Sequence, residues 1–201
     1  MPEPDLSSLT TVDPDVFKSA FRHHASGVAV VTADAGDGPL ALTASSVTSV
    51  SAAPAILLFS VSSATETGRA IARAGSAVVH LLDADDHGLA LRCAEPMVDR
   101  FADLSTWDRL AGGEPAFRGP RVLLRGKVVQ RLVFGEAVVI LLAVVEVIDR
   151  GPRAPGATAR DVDVARPLAY HDRRWHVLGQ HSRFDAGTTG SPTSDGTGPP
   201  K

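Results

Sequence analysis

The stretch Leu42-Thr43-Ala44-Ser45-Ser46-Val47-Thr48-Ser49-Val50-Ser51, followed by Ile56-Leu57-Leu58-Phe59-Ser60-Val61, decides how the chain reads. Small β-branched and hydroxyl residues without charge and without a helical period mark 42–51 as strand. Read at period two, it offers the hydroxyls of Ser46 and Thr48, with Thr43 and Ser45 beside them, as hydrogen-bonding groups of little bulk. A flat, polar-edged heterocycle can lie against such a surface and reach backbone N–H and C=O groups. A Ser/Thr-rich edge strand with no ligand accounts for the same composition, and both readings stay open on these residues alone.

Working outward, 28–33 is a compact β-branched run, and the Gly/Pro-containing 34–39 makes a hairpin loop into the strand that begins near Leu40. Upstream, Asp13-Pro14 supplies an N-cap and a proline at the first helical position. Val16, Phe17, Ala20 and Phe21 then share one face, which predicts an amphipathic helix over 14–24. Downstream, 56–61 reads as a strand entered through Pro54, 67–74 as a short helix closed by Gly75, and 77–82 as another strand. A second helix is expected over 85–94, stopped at Pro96. A long strand pair, 122–134 and 136–148, hinges at Gly135, and each member exceeds the usual five or six residues. A Pro/Gly loop over 150–166 leads to a last hairpin formed by 167–170 and 175–178. Strands not regularly separated by helices argue against a doubly wound sheet. The expected class is mainly β with short helices, a closed antiparallel barrel, since closure removes sheet edges.

Composition sets the outer bounds. The chain has 201 residues, 44% hydrophobic and 21% charged, enough for one domain with its own core. Gly (18) and Pro (14) make a turn-rich chain. A net charge of −3 gives no sign of a polyanion-binding surface, so nucleic acid is not an expected partner. The single Cys93 has no partner for an intrachain disulfide, which suits a reducing compartment. Met1 to Thr11 has neither the basic nor the apolar region of a signal peptide. The longest apolar run, 137–145, is nine residues against the roughly twenty of a membrane-spanning helix, so no membrane is expected either. These features point to a cytoplasmic domain over 13–180, with unstructured ends at 1–12 and 181–201. The run 137–145 also fails to alternate, so both its faces should be covered, one by the barrel interior and one by a second subunit.

Phosphate-loop, dinucleotide-fingerprint, nucleophile-elbow and zinc-protease motifs are all missing. The seven histidines do not fall into metal-ligand spacing, and no metal is expected. His23 and His24 sit at a helix end, where a surface role suits them. His80, inside a strand, reads as a hydrogen-bonded core residue.

The stretch 21–31 with 42–61 resembles the flavin reductase family of two-component monooxygenase systems, whose pattern is close to G-L-T-A-S-S-x-x-S-V-S-x-x-P-P-L. The resemblance continues through Ala77-Val78-Val79-His80-Leu81-Leu82, Val98-Asp99-Arg100-Phe101 and Pro167-Leu168-Ala169-Tyr170-His171-Asp172-Arg173-Arg174-Trp175-His176, covering about 14–179. It implies a homodimeric Greek-key split barrel that binds FMN or FAD near the subunit interface. Carried over by position, Thr43, Ala44, Ser45 and Ser46, with Thr48 beyond them, match the segment lining the isoalloxazine ring. Ser60, Val61 and Ser62 match the strand end beside the ribityl chain, and Thr65 and Thr67 match a phosphate-holding pair. Arg100 matches a residue near the phosphate or adenylate end, although alone it reads as a surface charge beside Asp99.

Two departures stand out. The family's long strand pair carries G-D-H at its turn, where this chain has Gly135-Glu136-Ala137 and so lacks the imidazole. His80 also replaces a usual Asn. His171 matches a region near the nicotinamide and is the one catalytic candidate, its alternative being a hairpin-surface residue paired with Asp172. The resemblance therefore implies an NAD(P)H:flavin oxidoreductase that passes hydride from NADH or NADPH to flavin N5 and releases reduced flavin to an oxygenase. The alternatives are a flavin carrier or sensor with little turnover, and a split-barrel relative binding a deazaflavin or haem.

Overall fold

A computed structural model describes residues 9–151, 166–179 and 182. Most of the expected unstructured ends and of the 150–166 loop lie outside these residues.

Helix α1 (Pro14–Phe21) is capped by Asp13, whose Oδ1 accepts from the N–H groups of Asp15 (2.8 Å) and Val16 (3.3 Å). It ends three residues before the expected boundary. Strands β1 (Ser26–Gly27), β2 (Ala29–Asp34) and β3 (Pro39–Ala44) follow, then β4 (Thr48–Ala52) and β5 (Ala55–Ser62). The expected single strand over 42–51 is thus two strands: the ladder to β2 ends at Ala44, and the ladder to β5 begins at Thr48. Helix α2 (Glu66–Arg73), strand β6 (Ser76–Leu81), a single 3₁₀ turn (Ala84–Asp86) and helix α3 (His87–Ala94) come next. A small hairpin of β7 (Trp107–Arg109) and β8 (Pro115–Phe117) is one that the sequence reading does not contain. The long pair β9 (Val122–Phe134) and β10 (Ala137–Asp149) and the last hairpin, β11 (Leu168–His171) and β12 (Arg174–Val177), fall where expected.

The main sheet is seven-stranded and antiparallel, in the order β3-β2-β6-β9-β10-β5-β4. Among β5, β6, β9 and β10 the first strand lies beside the last, which is a Greek key. Its two edges, β3 and β4, are consecutive in the chain and separated only by residues 45–47. Four peptide steps span at most about 14 Å. The sheet must therefore curl until its edges nearly meet, which makes a barrel split along one seam.

Inside lie Val31, Ala33, Phe59, Val79, Ile140 and Leu142, all buried. Strand β2 buries its other face too: Val30, with Val28 just before the strand, packs against Phe101, Phe117 and Leu168 under α3 and the last hairpin. Residues 28–33 do not alternate because both faces are dry. Strand β10 behaves differently. Val138, Ile140 and Leu142 point inward, whereas Val139, Leu141 and Ala143 remain half-exposed and Val145 and Val147 are exposed. Within the chain its outer face is open. The apolar face of α1 is open as well: Val16, Phe17 and Phe21 are each more than half exposed. Among the described residues no helix is long and apolar enough to cross a membrane.

His80 is a buried tie between layers. Its Nδ1 lies 3.0 Å from the Val30 carbonyl and its Nε2 accepts from the Phe117 N–H at 3.0 Å, so Nδ1 carries the proton. Burial, aided by the nearby Arg150 charge, lowers its pKa to about 4. The unfolded chain takes up this proton near pH 6.5, so the contribution is complete above that pH and is lost as pH falls toward 4. Urea unfolding at pH 7 and 4.5 should show wild-type protein losing roughly 2–3 kcal/mol more than His80→Gln over that interval.

Candidate functional site

The site is built on the seam. Residues 45–47 belong to no ladder, so their backbone groups are not committed to the sheet. Ser46 closes the seam: its Oγ accepts from Ser60 N–H (3.0 Å) and donates to the Ser60 carbonyl (3.3 Å). Thr43 fixes the other side, its hydroxyl donating to the Ala90 carbonyl of α3 at 2.6 Å. Ala44 and Val61 point into the barrel core, so only their backbone faces the seam. Ser60 and Thr48 stand on the outer face, Ser60 opposite Val139 and Thr48 opposite Leu58.

From Ser60, strand β5 runs into a hydroxyl-rich loop. The Ser62 carbonyl accepts from Thr65 N–H (3.3 Å) and Thr65 Oγ1 (3.1 Å), and Thr65 Oγ1 accepts in turn from Gly68 N–H (3.0 Å), capping α2. Thr67 sits in the first turn. Arg69, missed in the sequence, folds back over the same loop, its Nη1 donating to the carbonyls of Ser63 (2.7 Å) and Ala64 (3.2 Å). The signal was its position four residues beyond Thr65, one helical turn on. The Gly135-Glu136-Ala137 turn abuts this loop. Ser63 donates to the Glu136 carbonyl through N–H (2.7 Å) and Oγ (3.0 Å), and Ala137 pairs with Ser62. Ala137 is exposed.

Two clefts open along the seam. The larger, about 410 Å³, has Ser45, Ser46 and His171 on one wall and Phe17, Phe21 and Arg22 of the α1 segment on the other. The smaller, about 190 Å³, lies between Thr43, Ser45, Ala94 and the ring pair Tyr170–Trp175. Arg100 does not face the 62–67 loop in any described contact. Its guanidinium closes α3 instead, donating to the carbonyls of Cys93 (3.3 Å) and Glu95 (2.7 Å). Burial pushes the neighbouring Cys93 thiol up to about 11, so it stays protonated. The structure thus joins Thr43, Ser45, Ser46 and His171 at one place and Ser62, Thr65 and Thr67 two residues of strand further on.

The family model for the flavin reductase like domain matches residues 21–179. The chain belongs to this family. An NADH:FMN oxidoreductase of Rhodococcus qingshengii is 35% identical over 173 residues, covering 86% of this chain and 85% of its own. Among solved structures, a flavin reductase domain protein of Arthrobacter sp. FB24 superposes with a TM-score of 0.74 at 28% identity, over 88% of this chain and all of the other. BorF, the flavin reductase component of a bacterial two-component tryptophan halogenase, gives a TM-score of 0.69 at 26% identity, over 83% of this chain and 99% of its own. Membership in the flavin reductase family accounts for a split barrel whose seam carries small hydroxyl residues.

Gly68 tests how tightly the 62–67 loop is built. A Cβ there would fall 2.0 Å from the Ser62 carbonyl oxygen, a backbone atom that cannot swing away. Helix propensity alone favours Ala by about 1 kcal/mol, whereas overpacking costs about 1–3 kcal/mol. Gly68→Ala should therefore lower the melting temperature, by about 2–8 °C in a thermal melt.

Proposed function

We propose that this chain is an NADH-dependent flavin reductase: it transfers hydride from NADH to FMN and releases reduced flavin to an oxygenase or halogenase partner. The observation that carries the reading is the continuous strip of the 43–46 bend, Ser60 to Ser62 and the α2 loop, bordered by a cleft wide enough for a second ring. NADH and FMN are the pair named for the 35%-identical relative.

The residues present fit a flavin. Backbone groups at 45–47, outside any ladder, suit the polar edge of the isoalloxazine, and the Tyr170–Trp175 pair supplies apolar surface beside it. Thr65, Thr67 and the Arg69 guanidinium suit the phosphate. A flavin held there would supply the two-electron acceptor for the hydride. The protein's task is to hold two rings face to face and keep water out. Ser45, Ser46 and His171 form the wall along which the nicotinamide enters. Arg100 acts at one remove, by fixing the end of α3, whose Ala90 carbonyl accepts from Thr43 and whose Ala94 borders the smaller cleft.

The carrier reading draws on one observation, the exposed Ala137 where the family places an imidazole. Exposure leaves room for a larger side chain, so Ala137→His should melt like wild type. If an imidazole at that turn helps to align the rings, turnover of NADH with FMN should rise between about ten- and a hundredfold at unchanged FMN affinity. A wild-type protein that binds FMN but never oxidises NADH in a steady-state absorbance assay would establish the carrier reading.

We further propose a cytoplasmic homodimer formed through the outer face of β10. Leu141 and Ala143 lie in register with Leu58 and Ile56 of β5, and Val139 with Leu132 of β9, a half-exposed apolar patch bordered by Ser60, Gln130 and Lys127. Monomers rarely leave such a patch wet. Sedimentation at micromolar concentration should give a dimer for wild type and a monomer for Leu141→Asp. A stable wild-type monomer would contradict it.

A further inference from the structure

Helix α3 meets the surroundings of the smaller cleft at three points on one face. We infer that the first of them, His87, is a positioning residue for the flavin: its ring sets Trp175, and Trp175 sets Tyr170, so that the cleft keeps its width. This rests on the reading that the flavin lies on the seam.

Spacing along the helix is the first observation. His87, Ala90 and Ala94 stand at i, i+3 and i+7, which places them on one side of α3. Ala94 itself borders the smaller cleft. The Ala90 carbonyl accepts from the Thr43 hydroxyl at 2.6 Å and so holds the wall formed by β3. His87 meets the ring wall, edge-on to Trp175, with centroids 5.3 Å apart and planes at 68°. Both walls are thus gauged from one helix, whose far end Arg100 fixes through the carbonyls of Cys93 and Glu95.

The ring contact then continues across the last hairpin. Trp175 and Tyr170 are cross-strand partners, edge-on at 5.1 Å and 66°. Tyr170 borders both clefts, as Ser45 does, so its angle decides how much room lies on either side of it. Edge-to-face rings hold a defined distance and angle, and a geometry set at His87 passes through Trp175 to Tyr170.

The third observation is what His87 does not do. Its Nε2 is buried and has no hydrogen-bond partner among the described residues. An unpaired buried nitrogen is a cost, and a leucine would fill the place without it. What leucine cannot supply is a ring set edge-on to the indole.

Substitutions at this position separate ring from bulk. His87→Phe keeps the ring and removes the unpaired nitrogen, so it should melt at or above the wild-type temperature and bind FMN as wild type does. His87→Leu should melt within about 2 °C of wild type. In a titration followed by flavin fluorescence it should nevertheless bind FMN about three- to tenfold more weakly. Near-ultraviolet circular dichroism of the flavin-free protein should lose aromatic signal in His87→Leu and keep it in His87→Phe, which reports the Trp175–Tyr170 geometry without any ligand. Trp175→Leu should weaken FMN binding at least as much, and adding His87→Leu to it should cost nothing further. Wild-type FMN affinity in His87→Leu would overturn the inference. So would equal weakening by His87→Phe and His87→Leu, which would assign the role to the imidazole nitrogen. Additive losses in the double variant would also overturn it, by separating His87 from Trp175. If the wild-type protein binds no FMN, the underlying reading falls instead.

Discussion

Ser46 ties the link between the two edge strands to β5. Its hydroxyl both accepts from and donates to the backbone of Ser60, and the three-residue link 45–47 gives the chain no slack to open further. A sheet whose edges are tied by so short a link must curl, and a curled sheet with one unpaired seam leaves backbone polar groups there in need of partners. The same constraint that makes the barrel therefore makes a surface rich in uncommitted N–H and C=O groups. Rigid strands flank it on both sides, so a ligand bound there meets a preformed edge rather than a mobile loop.

The distribution of apolar side chains extends this logic outward. The barrel interior and the layer beneath α3 and the last hairpin bury their own residues completely, as Phe59, Phe117 and Leu168 do. The outer stripe on β10 and the Phe17–Phe21 face of α1 stay open within one chain. The first is apolar at its centre, which suits another protein surface. The second borders the larger cleft together with Arg22. Catalysis by positioning needs both a rigid floor and a wall that admits a second ring, and seam and α1 stand in that relation.

Much of this was legible in the sequence because local chemistry and tertiary structure agree. Asp13-Pro14 starts α1, Gly135 turns the long pair and the β-branched 28–33 forms a strand. The break at 45–47 was not legible: Ser, Ser and Val suit a strand, and only the change of partner from β2 to β5 interrupts them. The hairpin of β7 and β8 was hidden in a short polar segment with no alternation. The run 137–145 was read as covered on both faces because valine and leucine look alike whether they face a core or a partner. At the site, the hydroxyl residues were visible as a motif, but Arg69 and the α1 wall depend on three-dimensional closure. The role of Arg100 at the end of α3 likewise comes from contacts between segments.

The most direct measurement is amide hydrogen exchange with and without saturating FMN. If flavin lies on the seam, exchange should slow at 43–47 and 60–67, while the β7–β8 hairpin exchanges unchanged. Protection confined to other segments, or none at 43–47 with FMN bound, would contradict a flavin site built on the barrel's split.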